Sequence, residues 1–229
     1  MKICRQGNGH YMSGLNNQDF FYADKNLLLI MDGCSSGTFS EVGTRLFAQT
    51  FSQLENRFDP EKLEENVEAA FSKICCLSKD ASEDELASFI VDNMLFTIIA
   101  CFELKDRFIV KFIGDGYIIT VNSEDLVSYI RLSYGKAPPY YAYNKIPAGT
   151  YDKKLEFKTF VFNKKDFKKV GIASDGFSPI AEKLISDDFK PFFLGKKSNY
   201  TPEGIIRSHQ GMFSDDITIL WYEEEKHEY

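Results

Sequence analysis

The stretch LLLIMDG, Leu27–Gly33, places five apolar residues directly before an aspartate and a glycine. A short apolar run of this kind is typical of a buried strand. A carboxylate at the tip of such a strand is costly to remove from water, so its presence needs a reason. The pattern recurs in IVKFIGDG (109–116) and VGIASDG (170–176), with a variant in FSDDITILW (213–221). Four apolar strands therefore each carry an aspartate at one tip.

The composition of the chain is that of an ordinary globular protein. Its 229 residues are 44% apolar and 27% charged, with a net charge of −7. The acidic balance excludes the basic surface that nucleic-acid binding requires. No apolar run approaches the ~18 residues of a membrane span, and no signal-peptide core follows Met1. We expect a single domain over 1–229, monomeric and cytoplasmic, with no nucleic-acid or membrane partner.

The first half of the chain predicts two strands followed by a helical block. Strands are expected at about 19–23 and 27–32. The pair Thr38 and Glu41 has the spacing of a capping box at the start of a long helix. The same helix carries an apolar stripe at helical spacing that we expect in the core: Phe39, Val42, Leu46, Phe47, Phe51 and Leu54. Further helices are expected after Asp59-Pro60 and after Ser82.

The second half of the chain is rich in strand-like segments. Four of them, at 94–104, 107–114, 117–122 and 126–131, are separated by turn-sized gaps and predict an antiparallel meander. Later strands are expected near 155–162, 168–174 and 216–222, with helices near 177–185 and after Thr201. Strands before and after a helical block favour an α+β fold over a doubly wound parallel sheet.

Two interpretations of the aspartates stay open at this point. Asp-Gly is a favoured hairpin turn, and Asp115-Gly116 lies between two strand-like segments where a turn would fit. The alternative gathers all four strand tips at one edge, where their carboxylates would repel one another unless a cation lay between them. A hard dication such as Mg²⁺ or Mn²⁺ prefers oxygen ligands, and two such ions favour hydrolysis of a phosphate ester.

Other chemistries lack their usual motifs. The three histidines, His10, His209 and His227, form no zinc-hydrolase motif, and no Walker A motif or G-x-G-x-x-G loop is present. The five cysteines are odd in number and show no C-x-x-C spacing, so neither a disulfide framework nor a zinc site is expected. The carboxylates remain the strongest candidates for a functional site.

Five ordered motifs resemble those of the metal-dependent type 2C Ser/Thr protein phosphatases. They span residues 14–221, nearly the whole chain, and the ordered set is more specific than any one motif. The matching stretches are Asn16-Asn17-Gln18-Asp19, Leu29-Ile30-Met31-Asp32-Gly33, Ile113-Gly114-Asp115-Gly116, Ala173-Ser174-Asp175-Gly176 and Ser214-Asp215-Asp216-Ile217-Thr218. The resemblance implies a short, divergent, bacterial-type member, folded as a four-layer α-β-β-α sandwich of two antiparallel sheets with a metal centre at one end.

The resemblance also implies roles for single residues. Asp32 would bridge two Mn²⁺ or Mg²⁺ ions, Gly33 would offer its carbonyl, and Asp175 and Asp215 would complete the ligands. Asp19 would hold metal-bound water, and Asp115 would help to bind a third, weaker ion. The implied reaction is direct attack of metal-activated water on phosphoserine or phosphothreonine in a phosphoprotein. Such an enzyme would act in signalling and oppose a cognate Ser/Thr kinase.

The sequence departs from the family pattern at two positions, and the residue usually found at the first of them binds the substrate phosphate. Gly14 stands where the family usually has an arginine, and Asp216 stands where asparagine is usual. Arg5 is a candidate to reach the phosphate from a neighbouring strand. Two alternatives therefore stay open: a weak or inactive pseudophosphatase that acts as a regulatory binding module, and a phosphatase of small metabolites.

One segment without periodicity interrupts the second half. Residues 131–152 include Pro138-Pro139, several tyrosines, Lys136 and Lys145. They predict either a flap that contacts substrate through these lysines or a surface loop packed by its tyrosines. The acidic residues 223–229 are expected to be a solvated tail.

Overall fold

The fold is an α-β-β-α sandwich, seen in a computed structural model that describes residues 1–76, 80–133, 138–146, 155–182 and 185–222. Within these ranges the strands form two five-stranded antiparallel sheets. The strands are β1 (Lys2–Arg5), β2 (Phe20–Asp24), β3 (Leu27–Gly33), β4 (Phe96–Glu103), β5 (Arg107–Ile113), β6 (Gly116–Asn122), β7 (Val127–Leu132), β8 (Lys158–Asn163), β9 (Phe167–Ala173) and β10 (Ile217–Trp221).

The two sheets pack face to face through a shared apolar layer. The first sheet has the order β1-β10-β9-β6-β7, and the second has the order β2-β3-β4-β5-β8. Leu28 and Ile30 of β3 meet Ile172 and Leu220 of the first sheet in this layer. Because side chains alternate across a strand, Leu27, Leu29 and Met31 point instead to the outer face of the second sheet. Both faces of β3 are therefore buried, which explains its unbroken apolar run.

Helices cover both outer faces. The helices between β3 and β4 cover the second sheet, with contacts among Phe47, Phe71 and Phe96. The helices after β9 cover the first sheet, with contacts through Phe177, Phe189 and Phe193. The helices are α1 (Asn8–Ser13), α2 (Ser40–Ser52), α3 (Leu63–Cys75), α4 (Glu83–Asn93), α5 (Ser178–Ala181), α6 (Ser186–Phe193) and α7 (Pro202–Ser208). The predicted α+β sandwich of two antiparallel sheets is thereby confirmed. In the part of the chain that the structure describes, no helix is long and apolar enough to cross a membrane.

Two predictions about the first long helix are wrong. Helix α2 begins after Phe39, and the Thr38 hydroxyl donates to Asp92 Oδ1 at 3.1 Å instead of capping the helix. Phe39 and Val42 are 53% and 50% exposed, because the buried face of α2 runs through Gly43, Phe47 and Phe51 instead. The capping box at Ser82 and Glu85 of α4, by contrast, is present with both hydrogen bonds.

The predicted meander is also wrong, and the correction concerns Asp115. Strand β5 pairs with β4 and β8, whereas β6 pairs with β7 and β9 of the other sheet. Asp115 therefore lies at a crossing between the sheets and not in a hairpin turn. Its neighbours Gly114 and Gly116 have φ angles of +109° and +132°, which side chains with a Cβ rarely adopt. The turn explanation for this Asp-Gly no longer holds.

The segment at 131–152 is described only in part. Residues 138–146 include a short 3-10 helix, Tyr141–Lys145, and Tyr140 and Tyr141 are buried in the core beside α3. Residues 134–137 and 147–152 of this segment, and the tail 223–229, lie outside the described residues.

Candidate active site

Five aspartates meet at one end of the sandwich because of the strand register. Asp32 ends β3, and Asp19 precedes β2 at the same end, where Phe20 pairs with Met31. In the other sheet Ala173 pairs with both Tyr117 and Ile219. These pairings bring Asp115 and Asp175, each two residues from a paired position, to that same end, and Asp215 precedes β10 there.

The electrostatics of the cluster confirm that its members are close together. Burial raises the pKa of Asp32 well above its usual value, and the charges of Asp19, Asp175, Asp215 and Asp115 raise it further. Burial, with Asp215 and Asp115, raises the pKa of Asp175 to about 6. The carboxyl groups of Asp32 and Asp175 also hydrogen-bond to each other. Such crowding of carboxylates is unfavourable without a compensating positive charge.

Asp19 is the most deeply buried member of the cluster. Burial raises its pKa to about 7, although the Ser174 hydroxyl, which donates to Asp19 Oδ2 at 2.8 Å, opposes the shift. The same hydroxyl accepts the backbone N–H of Thr218 at 2.9 Å. Asp19 Oδ1 is buried and has no hydrogen-bond partner among the described residues. A buried carboxylate oxygen without a partner is costly, so this atom is suited to a ligand that is not protein.

The glycines of the motifs are explained by close packing. A Cβ on Gly33 would lie 2.8 Å from Ser40 Oγ and 2.9 Å from the Gln18 carbonyl oxygen. A Cβ on Gly176 would lie 1.9 Å from the Asp216 carbonyl oxygen, which is closer than any real contact. The glycine after each aspartate therefore lets neighbouring segments approach, and this brings the carboxylates together.

The donor set fits a hard divalent cation. It consists of carboxylate oxygens and nearby carbonyl groups, which are the ligands that Mg²⁺ and Mn²⁺ prefer. Burial and neighbouring carboxylates raise the pKa values of Asp32, Asp115 and Asp175, so a nearby positive charge would favour their ionised forms. A dication at this end of the sheets would supply that charge and an ion partner for Asp19 Oδ1.

A cavity of about 200 Å³ opens beside the cluster. It is lined by Asp175, Gly176, Ser178, Pro179, Ser214 and Asp215. The Ser178 hydroxyl lies 3.0 Å from the Tyr117 hydroxyl, and Tyr117 pairs directly with Arg131 across β6 and β7. Side chains of directly paired residues share one face of a sheet, so Arg131 lies on the face that leads to this cavity.

Arg131 is a positively charged residue that sequence reasoning missed. Its charge lowers the pKa of Asp115 and of Asp175, against the larger effect of burial. The side chain is exposed, and among the described residues it makes no ion pair within 4 Å. The sequence signal for Arg131 was its position at the start of segment 131–152, which was predicted to contact substrate through Lys136 and Lys145.

The three residues predicted to contact substrate lie in different parts of the chain and differ in their surroundings. Arg5 ends β1 opposite Ile217, at the same end as the carboxylates. Lys145 forms an ion pair with Glu68 of α3 and lies 3.3 Å from Ser72 Oγ, so its charge is already engaged. Lys136 lies outside the described residues. The substrate roles of all three stay predictions.

His10 of α1 lies beside Asp215 and Asp216, and Gly14 follows the same helix. Gly14 follows α1 with a φ angle of +71°, a conformation in which an arginine would be strained. His10 of α1 is 8% exposed, and its Nδ1 lies 2.8 Å from Asp216 Oδ2. The sequence marked Asp216 as unusual but did not reveal its partner, because the two residues are 206 positions apart.

Comparison with known proteins finds one matching family model and several solved structures with a similar fold. A model of the family described as "Protein phosphatase 2C" matches residues 6–204. The serine/threonine phosphatase Stp1 from Staphylococcus aureus is 13% identical, with a TM-score of 0.62 over 98% of this chain and 94% of that one. The phosphatase PstP/Ppp of Mycobacterium tuberculosis is 17% identical, with a TM-score of 0.61 over 96% of each chain. The catalytic domain of PstP in complex with two manganese ions is 17% identical, with a TM-score of 0.61 over 96% of this chain and 95% of that one. No curated protein sequence matches the chain.

Proposed function

Since the chain belongs to the protein phosphatase 2C family, we propose that it hydrolyses phosphoserine and phosphothreonine in proteins with the help of Mn²⁺ or Mg²⁺. The observation that carries the proposal is the cluster of five aspartates at one end of the sandwich, next to a cavity of about 200 Å³. A manganese complex of a phosphatase with a similar fold supports the choice of metal.

The roles of the aspartates follow their places in the cluster and the family resemblance. Asp32, which all four other carboxylates affect, would bridge two ions, with Gly33 offering its carbonyl. Asp175 and Asp215 line the cavity and would complete the ligands. Asp19 would act from the buried side of the centre, and Asp115 would hold a third, weaker ion. When bound, the ions would lower the pKa of water and neutralise charge on the phosphoryl oxygens.

Arg131 is our candidate for the residue that orients the substrate phosphate. A guanidinium can donate two parallel hydrogen bonds to a phosphate, and it stays charged throughout the pH range of the reaction. Arg131 would reach the phosphate from β7, at one edge of the first sheet. Arg5 at the end of β1 is the second candidate for this role.

The cellular context remains a proposal of the same kind. A phosphoprotein substrate implies a kinase that phosphorylates it, so we propose a cognate Ser/Thr kinase as the opposing activity. The acidic composition and the thiol pattern of the sequence support a monomer in a reducing, cytoplasmic compartment.

The second candidate function is a pseudophosphatase, and the backbone at Gly14 favours it. The left-handed conformation there disfavours the arginine that the family normally uses. In that case the fold and a metal would be kept while the surface regulates a partner.

The deciding experiment measures hydrolysis of p-nitrophenyl phosphate and of a phosphothreonine peptide with Mn²⁺, Mg²⁺ or EDTA. Wild type is compared with Asp32→Asn and with Asp188→Asn, a control at an exposed position of α6. Metal-dependent turnover that Asp32→Asn abolishes and Asp188→Asn keeps supports the phosphatase. Folded wild-type protein that binds Mn²⁺ but shows no turnover supports the pseudophosphatase. Rapid hydrolysis of small phosphorylated metabolites with poor activity on peptides would redirect the proposal to a metabolite phosphatase.

A further inference from the structure

Helix α1 holds His10 in one fixed orientation at the edge of the carboxylate cluster. His10 Nδ1 lies 2.8 Å from Asp216 Oδ2, and the imidazole is 8% exposed. A carboxylate can only accept hydrogen bonds, so Nδ1 carries the proton of this contact. The other ring nitrogen, Nε2, is left to bind something else.

Asp216 holds this arrangement by accepting hydrogen bonds on both of its carboxylate oxygens. Its Oδ1 accepts the backbone N–H of Gly7 at 2.8 Å, and its Oδ2 accepts the N–H of Gln18 at 2.6 Å as well as the His10 contact. These donors take three of the ~four acceptor positions of a carboxylate that is 2% exposed, so Asp216 is poorly placed to bind a metal as well. Asp216 therefore acts on its surroundings only through the groups that it orients.

Nε2 of His10 points towards Asp215. It lies 4.0 Å from Asp215 Oδ1, too far for a hydrogen bond. Among the described residues, Nε2 has no hydrogen-bond partner. Two metal–ligand bonds of about 2.1 Å each can reach across such a gap.

We propose that His10 Nε2 and Asp215 bind one first-row transition-metal ion together, with Asp216 as the carboxylate that orients the histidine. The inference rests on the proposed metal centre and deepens it by naming a nitrogen ligand. A carboxylate that fixes the second ring nitrogen is the usual support of a metal-binding histidine. Because Mg²⁺ prefers oxygen ligands and water, His10 would make the centre select Mn²⁺ over Mg²⁺.

The test is the electron spin-echo envelope modulation of the Mn²⁺-loaded full chain, recorded at increasing Mn²⁺ up to saturation. One sample has natural-abundance nitrogen and the other has ¹⁵N at histidine only. A ¹⁴N modulation that changes to a ¹⁵N pattern on histidine labelling is the expected result. The wild-type spectra alone decide whether a histidine binds the ion, so this part of the test does not depend on the folding of a variant.

A matched pair of variants then identifies the histidine. His10→Asn keeps a donor to Asp216 and removes Nε2, while His209→Asn changes a histidine at the end of α7. His10→Asn should abolish the modulation and weaken Mn²⁺ binding at least ~10-fold, with Mg²⁺ binding changed less than ~3-fold. His209→Asn should leave the modulation and the binding of both metals unchanged. Saturation with Mn²⁺ without histidine modulation overturns this inference alone. Failure of the wild type to bind Mn²⁺ at all overturns the proposed metal centre as well.

Discussion

Ser174 Oγ donates a hydrogen bond to Asp19 Oδ2 at 2.8 Å, although the two residues are 155 positions apart. Ser174 follows β9 of the first sheet, and Asp19 precedes β2 of the second. The hydroxyl also accepts the N–H of Thr218 at 2.9 Å, at the start of β10. One buried side chain thus ties three strand ends together and fixes the innermost carboxylate of the site.

Replacing Ser174 with alanine should reduce both stability and metal binding. The change leaves the Thr218 N–H without its acceptor and Asp19 Oδ2 without its donor, at a cost of about 1–3 kcal/mol. Because groups that orient a metal site affect its affinity, we expect Mn²⁺ binding to weaken ~10- to 100-fold. Denaturant unfolding and calorimetric titration measure the two effects. Ser208→Ala, at an exposed position of α7, is the control, and equal behaviour of the two variants would contradict the role of Ser174.

Asp32→Asn should stabilise the metal-free protein while it destroys the activity. Burial and four neighbouring carboxylates raise the pKa of Asp32, so a neutral side chain of the same shape removes an unfavourable charge. The new amide can also donate to Asp175. We expect the metal-free Tm at pH 8 to rise by about 3 °C or more, the change that ~1 kcal/mol produces in a domain of this size. A lower Tm for this variant than for wild type, with Asp188→Asn unchanged, would show that the cluster is not repulsive.

The stability of the metal-free protein should fall as the pH rises. The pKa of Asp175 is raised to about 6 and that of Asp19 to about 7, whereas both would be near 3.9 in the unfolded chain. A raised pKa in the folded state contributes stability that is fully present below the unfolded value and is lost as the pH rises through the folded value. The metal-free Tm should therefore decrease between about pH 4 and pH 7.

Bound metal should reverse that dependence. The same carboxylates bind a dication only when they are ionised, so the increase in Tm on adding Mn²⁺ should grow over the same pH range. Thermal scans with EDTA and with Mn²⁺ at several pH values measure both trends. A metal-free Tm that rises steadily from pH 5 to pH 8 would contradict the assigned pKa shifts.

The sequence was sufficient for the parts of the fold that depend on local patterns. The apolar run before Asp32 predicted β3, and the spacing of Ser82 and Glu85 predicted the start of α4, because both signals lie within a few residues. Strand partners depend on long-range packing, and so the predicted meander is wrong where the chain crosses between the sheets at Asp115. The flanking glycines were compatible with either structure.

The candidate site, like the fold, could be predicted from the sequence only where it depends on local patterns. The aspartates could be listed from their motifs, since each follows a recognisable strand. The contacts of His10 with Asp216 and the approach of Arg131 to Asp175 join segments that are far apart in the chain. No local pattern encodes them, so they needed the folded structure.

Gly176→Ala should be severely destabilising, although it adds one methyl group. The new Cβ would lie 1.9 Å from the Asp216 carbonyl oxygen, and that backbone cannot move without displacing Asp215. We expect a loss of at least ~3 kcal/mol in the free energy of unfolding, the range of severe overpacking. Gly211→Ala is the matched control, because a Cβ there meets nothing within 4 Å. Denaturant unfolding of both variants measures the difference, and equal stability would show that the motif glycine is not fixed by packing.

Replacement of Arg131 should weaken the binding of phosphorylated substrates more than it affects the fold. Its side chain is exposed, and its charge acts on Asp115 and Asp175 beside the cavity. Loss of a bidentate contact to phosphate should lower kcat/KM ~10- to 100-fold for Arg131→Ala, about 1.4–2.8 kcal/mol in transition-state binding. Arg131→Lys should recover only part of this loss, since an ammonium group donates without the planar fork of a guanidinium.

Two further variants separate a specific role from a general effect of charge. Arg107→Ala removes an exposed arginine of β5 whose nearest ion pair is the 3.8 Å contact with Asp106, and it should leave kcat/KM unchanged. Arg5→Ala tests the competing candidate on β1. A large loss with Arg5→Ala and none with Arg131→Ala would transfer the phosphate contact to Arg5. Losses with both would mean that two guanidinium groups contribute to the phosphate contact, Arg5 from β1 and Arg131 from β7, the two edge strands of the first sheet.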